Sequence, residues 1–161
     1  MITRILFFTS FLIISSSSIL QADGSYSYSF GQFDANDSYD SLEVRIEYLS
    51  DRNLNEKYEL KPFLGLMTNT DSGKYLYFGL RKDYSLSNKW NFTPSFAAGY
   101  YDQGSSKDLG YDLEFRSQLE VSYNLEKQKR IGVSFNHISN ASLADENPGT
   151  ESIVISFINP F

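Results

Sequence analysis

Ser41-Leu42-Glu43-Val44-Arg45-Ile46-Glu47-Tyr48-Leu49-Ser50 decides the fold. Leu42, Val44, Ile46 and Tyr48 share one parity; Glu43, Arg45 and Glu47 share the other. Successive side chains of an extended chain point to opposite faces, so this stretch reads as a strand with one apolar and one charged face.

The same alternation recurs along the chain. Together with 41–50, the runs 26–33, 57–68, 73–85, 89–101, 110–124, 130–139 and 150–161 make eight. Each is close to the roughly 9–11 residues of a tilted membrane-spanning strand. In 73–85, Leu76, Phe78 and Leu80 oppose Tyr75, Tyr77 and Arg81. In 110–124, Leu113, Phe115, Leu119 and Val121 oppose Glu114, Arg116, Gln118 and Glu120. Helical periodicity is almost absent.

A soluble sandwich alternates too, but two features favour an eight-stranded antiparallel transmembrane β-barrel. The polar faces carry both charge signs inside the runs, which suits ion pairs in a narrow lumen with lipid outside. With the N-terminus on the periplasmic side, Tyr26, Tyr48, Tyr58, Tyr84, Trp90, Tyr123 and Phe161 fall at periplasmic strand ends, as an aromatic girdle would. Pro62 and Pro94 lie inside runs, where each removes a ladder donor, and they predict bulges or kinks.

The first 22 residues read differently. Arg4 is the only charge before Asp23, 5–14 is mostly apolar, and Leu20-Gln21-Ala22 offers a cleavage site. This predicts a signal peptide over 1–22 and a single barrel domain over 23–161. With 14 basic and 20 acidic residues, the chain has a net charge of −6, which argues against a nucleic-acid partner. It has no cysteine, which excludes disulfides, thiol catalysis and CxxC metal sites. The outer links are acidic, which is awkward for a phosphate-bearing substrate; divalent cations would bridge the two.

One chemical constellation stands out. His137 is the single histidine, Ser139 follows it by two residues, and Glu151 opens the last run. In 130–139 the apolar parity of Ile131, Val133 and Phe135 continues through His137 and Ser139. In 150–161 Glu151 shares the parity of Ile153, Ile155 and Phe157. All three therefore face outward on two strands that should pair antiparallel. They combine a base, a nucleophile and an orienting acid, the parts of an acyl-transfer site. The up-and-down order puts them at the outer-leaflet interface. A charge there costs about 0–1 kcal/mol, against about 2–4 kcal/mol at the midplane.

His137-x-Ser139-Asn140-Ala141 and Asn147-x-Gly149-x-Glu151, inside an eight-run pattern ending at Phe161, resemble the lipid A 3-O-deacylase (PagL) family. The sharp similarity covers 130–161; upstream only the architecture matches. The resemblance implies an eight-stranded barrel in the bacterial outer membrane. It implies an esterase that hydrolyses the 3-position ester of lipid A, the lipid anchor of lipopolysaccharide, and releases a 3-hydroxy fatty acid. Ser139 resembles the nucleophile, His137 the base and Glu151 the orienting acid. Asn140 and Asn147 match family asparagines near the site, as candidates for structural support or for binding the oxyanion. With serine as nucleophile, no cofactor or metal is required. Two other readings stay open: a non-catalytic small outer-membrane barrel with a structural or binding role, and a soluble periplasmic barrel or sandwich that binds an apolar ligand. Whether the barrel forms a homodimer is also open.

Overall fold

A computed structural model of the chain describes residues 24–37 and 40–161. The expected signal peptide lies outside the described residues. Eight long strands form the wall: β1 Gly24–Phe33, β2 Ser41–Ser50, β3 Lys61–Asn69, β4 Lys74–Arg81, β6 Trp90–Asp102, β7 Leu113–Asn124, β8 Arg130–Ser139 and β9 Thr150–Pro160. The two-residue β5, Tyr84–Ser85, continues the line of β4 along β6. Every sequential pair is antiparallel, β1 pairs with β9, and β4 with β6, so the sheet closes on itself. A closed barrel leaves no edge with unpaired backbone groups.

The expected strand limits hold with three corrections, of which one is that the run expected over 73–85 is broken at Lys82 and Asp83 into β4 and β5. The third strand starts at Lys61, not at residue 57. Asn55 Oδ1 accepts hydrogen bonds from the Lys57 and Tyr58 amides, and Leu54 N–H donates to Leu60 O, which closes 51–60 into a turn. Glu59 sits there at φ 54°, which no strand accommodates. The strand expected over 110–124 starts at Leu113, because Asp108 Oδ1 caps the Gly110 amide and holds 110–112 in the outer loop.

The prolines produce no bulge. The register runs through Pro94, which faces Leu119, without a slip. On its other side Lys82 N–H donates to Pro94 O at 3.2 Å, and Pro94 has no N–H to return the bond. There the chain departs from the ladder between β4 and β5. Pro62 pairs with Leu80 and lies one residue before the β2–β3 ladder begins at Leu49 and Phe63, so its missing donor costs no bond to β2.

The two faces are the inverse of a soluble protein's. Phe30, Leu42, Val44, Leu76, Phe78, Phe96, Leu119 and Val133 all stand half-exposed or more on the outside. Glu43, Arg45, Glu47, Glu114, Arg116 and Glu120 are buried within. Only a hydrocarbon solvent rewards that arrangement, and it overturns the soluble alternative.

Inside, several of these charges find partners, while neither Glu114 carboxylate oxygen has a hydrogen-bond partner among the described residues. Arg116 Nη2 lies 3.0 Å from Glu47 Oε1, and Tyr77 donates to the same oxygen at 2.9 Å. The Arg116 guanidinium also covers the Tyr77 ring, 4.2 Å from its centroid. Arg45 Nη2 pairs with Glu43 at 2.5 Å, and Arg45 Nη1 donates to Asn136 at 2.7 Å. Gly65 makes this packing fit: a Cβ there would stand 2.3 Å from the Tyr77 ring.

The two ends are built differently. At the end carrying both strand termini, Tyr26, Tyr48 and Phe161 cluster with ring centroids 5.0–6.1 Å apart. Trp90 meets Tyr123 edge-on at 5.0 Å. Tyr58 is exposed but lies in the 51–60 turn rather than on a strand. Asp83 gathers Arg81, Lys61 at 3.2 Å, Arg130 at 3.6 Å and the Thr93 hydroxyl at 2.9 Å. Burial opposes ionisation of Asp83, but the three cations and the Thr93 hydrogen bond outweigh it and hold its pKa well below the usual carboxylate range.

At the opposite end, loop 103–112 folds over the mouth. Lys107 Nζ reaches Asp34 at 2.8 Å and Asp37 at 3.1 Å, Asn69 Nδ2 donates to Ser106, and Leu109 is buried. Burial works against the Lys107 ammonium, but its hydrogen bonds to Asp34 and Asp37 prevail and push its pKa up.

Glu47→Ala leaves the Arg116 guanidinium buried without its carboxylate and should cost about 3–5 kcal/mol. Urea unfolding in detergent micelles measures it, and the double change Glu47→Leu with Arg116→Met should recover most of the loss. A cost below about 1 kcal/mol for the single change would dismiss the pair as an organiser of the lumen. Asp83 gives a pH-dependent case. Because its folded pKa is depressed, its stabilisation is present above its unfolded pKa near ~4 and is lost as pH falls through the folded value. The stability gap between wild type and Asp83→Asn should therefore be widest above about pH 4 and close in acid. A gap that widens on acidification would refute the assignment.

Candidate active site

Strands β7, β8 and β9 lie side by side, and their register fixes who meets whom on the outer surface. His137 is the partner of Glu151 across β8–β9 and of Ser117 across β7–β8. Ser139 is the partner of Phe115. These residues sit at the ends of β8 and β9 that carry the 140–149 loop, away from the aromatic girdle.

His137 Nδ1 is 2.9 Å from Glu151 Oε1. The pair is partly exposed on the lipid side, at 45% and 31% of the side-chain surface. An ionised carboxylate only accepts hydrogen bonds, so against Glu151 the ring carries its proton on Nδ1 and presents Nε2 as the free acceptor. Ser139 lies on the same outward row, two residues beyond His137, and is half-buried. The structure draws His137 and Glu151 together but places no hydrogen bond between Ser139 and the imidazole. Catalytic hydrogen bonds are often open in a free enzyme and tighten only around substrate.

The loop that follows β8 is clamped from within. Asn140 is fully buried; its side-chain amide donates to Leu109 O at 2.9 Å and to Glu146 O at 2.7 Å. Both amide hydrogens of the Asn140 side chain are thereby engaged within the loop. Asn147 Oδ1 accepts the Asn140 backbone N–H at 3.0 Å, and its own NH₂ stays at the exposed surface. Ala141 and Ser142 turn the chain with φ values of 53° and 62°.

Gly149 closes the loop directly over the imidazole. Its φ is +63°, and a Cβ at this position would lie 3.0 Å from His137 Cε1. Glycine is required there twice, for the left-handed backbone and for the space. Sequence reasoning had Gly149 only as part of a motif; its contact with the ring emerges from the three-dimensional loop.

Two cavities of the structure lie away from these residues. The space left in the lumen among Glu47, Arg81, Arg116 and Glu120 is about 20 Å³. That is far too small for an acyl chain. A larger concavity of about 490 Å³ lies at loop 103–112, between Tyr100, Tyr111, Asp102, Asp108 and Asp112, and holds none of the three residues. A lipid-facing site has no need of a pocket, since the bilayer itself solvates the chain. Among the described residues, no group of three or more histidines, aspartates or glutamates converges to hold a metal ion.

Comparison with known proteins bears on the fold and the family. The model of the lipid A 3-O-deacylase (PagL) family matches residues 21–158. No curated protein matches in sequence. The fold superposes on the crystal structure of the outer membrane enzyme PagL with a TM-score of 0.65 at 16% identity, covering 85% of this chain and 99% of that one. A de novo designed transmembrane β-barrel follows with a TM-score of 0.63 at 11% identity, covering 87% and 96%. Neisserial surface protein A gives 0.52 at 12% identity, covering 86% and 96%. Structural likeness at these identities establishes the fold, an outer-membrane barrel; the family match extends across most of the sequence, and the chain belongs to the lipid A 3-O-deacylase (PagL) family.

Proposed function

We propose that this barrel removes the 3-O-linked acyl chain of lipid A with Ser139, His137 and Glu151 on its lipid-facing wall. The observation that carries the proposal is the 2.9 Å contact between His137 Nδ1 and Glu151 Oε1, outward-facing and one step from Ser139. A hydrogen-bonded carboxylate and imidazole stand out on a surface otherwise built of Phe135, Val133 and Ile153.

Substrate binding draws the Ser139 hydroxyl onto His137 Nε2. Ser139 Oγ attacks the ester carbonyl carbon while Nε2 takes its proton. Glu151 holds the resulting imidazolium through Nδ1–H. The tetrahedral oxyanion forms close to the 140–149 loop, where the exposed Asn147, its Oδ1 taken by the Asn140 amide, offers its NH₂ as a donor. Collapse breaks the bond to the sugar oxygen, which leaves with the proton from Nε2. Water, activated by the same imidazole, then cleaves the acyl-enzyme. Its oxygen joins the carbonyl, the proton returns to Ser139, and a free fatty acid and the shortened lipid A remain.

Ser139→Ala should abolish the reaction while the barrel folds normally. Mass spectra of lipid A from cells making wild type should show the loss of one acyl chain, and spectra from cells making Ser139→Ala should not. Identical spectra in a host with a susceptible 3-O-acyl group would remove the enzyme reading. His137→Ala should cost about 10²–10⁴-fold, the range of general-base catalysis.

The Glu151 contact can be watched directly, because the chain has one histidine. The Nδ1–H proton of His137 should give a downfield NMR signal in micelles that disappears in Glu151→Ala and moves in Gly149→Ala, where the new methyl group pushes on the ring. A signal indifferent to both changes would mean the pair does not form in solution.

A further inference from the structure

The β7 register gives His137 a second lateral neighbour, Ser117, on the side away from Glu151. Ser117 is out of character for its position. The lipid-facing row of β7 otherwise consists of Leu113, Phe115, Leu119 and Val121. Ser117 is exposed on that row, and among the described residues its hydroxyl has no hydrogen-bond partner. A bare hydroxyl in hydrocarbon is disfavoured, and a serine between Phe115 and Leu119 leaves a notch in the wall. Phe115, stacked on Phe96 at 5.9 Å, forms the notch's outer side.

The imidazole does not supply the missing partner in the working enzyme. Its Nδ1 is held by Glu151, and its Nε2 must stay open for Ser139. The remaining candidate is the substrate, and depth indicates which part of it. Ser139 pairs with Phe115, and Ser117 pairs with His137, one pair further along the strands from the outer end. An ester whose carbonyl sits at Ser139 sends its acyl chain toward the midplane, so the first carbons after the carbonyl pass the notch.

Resting on the function proposed above, we infer that Ser117 is a specificity-determining residue: its hydroxyl hydrogen-bonds a hydroxyl carried close to the carbonyl of the acyl chain being cut. The notch admits that substituent, and Ser117 selects chains that bear one over plain chains of equal length. Binding it also fixes the position of the carbonyl over Ser139.

The test compares two synthetic glucosamine lipids that differ only in a 3-hydroxyl on the ester-linked chain, using the full chain refolded in micelles. Ser117→Ala should lower kcat/KM for the hydroxylated ester by about three- to tenfold, the worth of one hydrogen bond, and leave the plain ester unchanged. Ser117→Thr should restore the preference, and Ser117→Leu, which fills the notch, should abolish it. Equal loss on both esters, or no loss on either, overturns the inference while leaving the esterase reading in place. Turnover that survives Ser139→Ala but not Ser117→Ala overturns it too, by making Ser117 the nucleophile. Wild type inactive on both esters overturns the esterase reading and the inference with it.

Discussion

A backbone N–H or C=O in hydrocarbon has no water to turn to, and every other feature of this molecule follows from how that demand is met. The pairing of β4 with β6 is the decisive contact, because it turns a sheet with two bare edges into a cylinder with none. Closure then forces each strand to show one face to a narrow interior and the other to lipid. Period-two alternation is the only pattern that satisfies both solvents, which is why Glu43, Arg45 and Glu47 can sit in the middle of a membrane protein. Their charges face one another and the Arg116 cluster, never the lipid.

The same constraint makes the polar outward residues informative. A lumen position tolerates serine, asparagine or glutamate freely, as Ser29, Asn136 and Ser156 show. A lipid-facing position does not. On β7, β8 and β9 the outward rows run apolar until Ser117, His137, Ser139 and Glu151, and these four occupy neighbouring sites on adjacent strands. A rigid wall suits the chemistry, since cross-strand pairing fixes the Glu151–His137 approach without a mobile element, and the buried Asn140 clamp does the same for the loop above.

How much of this was legible in the residues follows the range of each signal. Alternation is local, so the eight strands and the parity of His137, Ser139 and Glu151 could be read directly. Strand starts at Lys61 and Leu113 could not, because side-chain caps from Asn55 and Asp108 decide them and the alternation carries on past the true ends. Pro62 misled for a related reason. A missing donor matters only where a partner strand would have used it, and the register places Pro62 outside the β2–β3 ladder. Ser117 was invisible altogether. Its meaning depends on facing His137 across two strands, and no single run contains that pair.

The acidic outer end takes on a different sense once the contacts are drawn. Asp34 and Asp37 hold Lys107 and, through Asp34, Thr150, so part of the negative charge fastens loop 103–112 over the mouth. Asp102, Asp108 and Asp112 remain exposed, a repulsive rim for an anionic headgroup arriving from water. A substrate already in the outer leaflet never makes that approach. On the proposed reading it reaches Ser139 sideways, along the wall, with its ester held at the depth where head groups meet acyl chains. Access of this kind selects by depth before it selects by shape. An ester bond lying several ångströms deeper would pass His137 and Ser139 without meeting them, however well the rest of the lipid fitted the barrel.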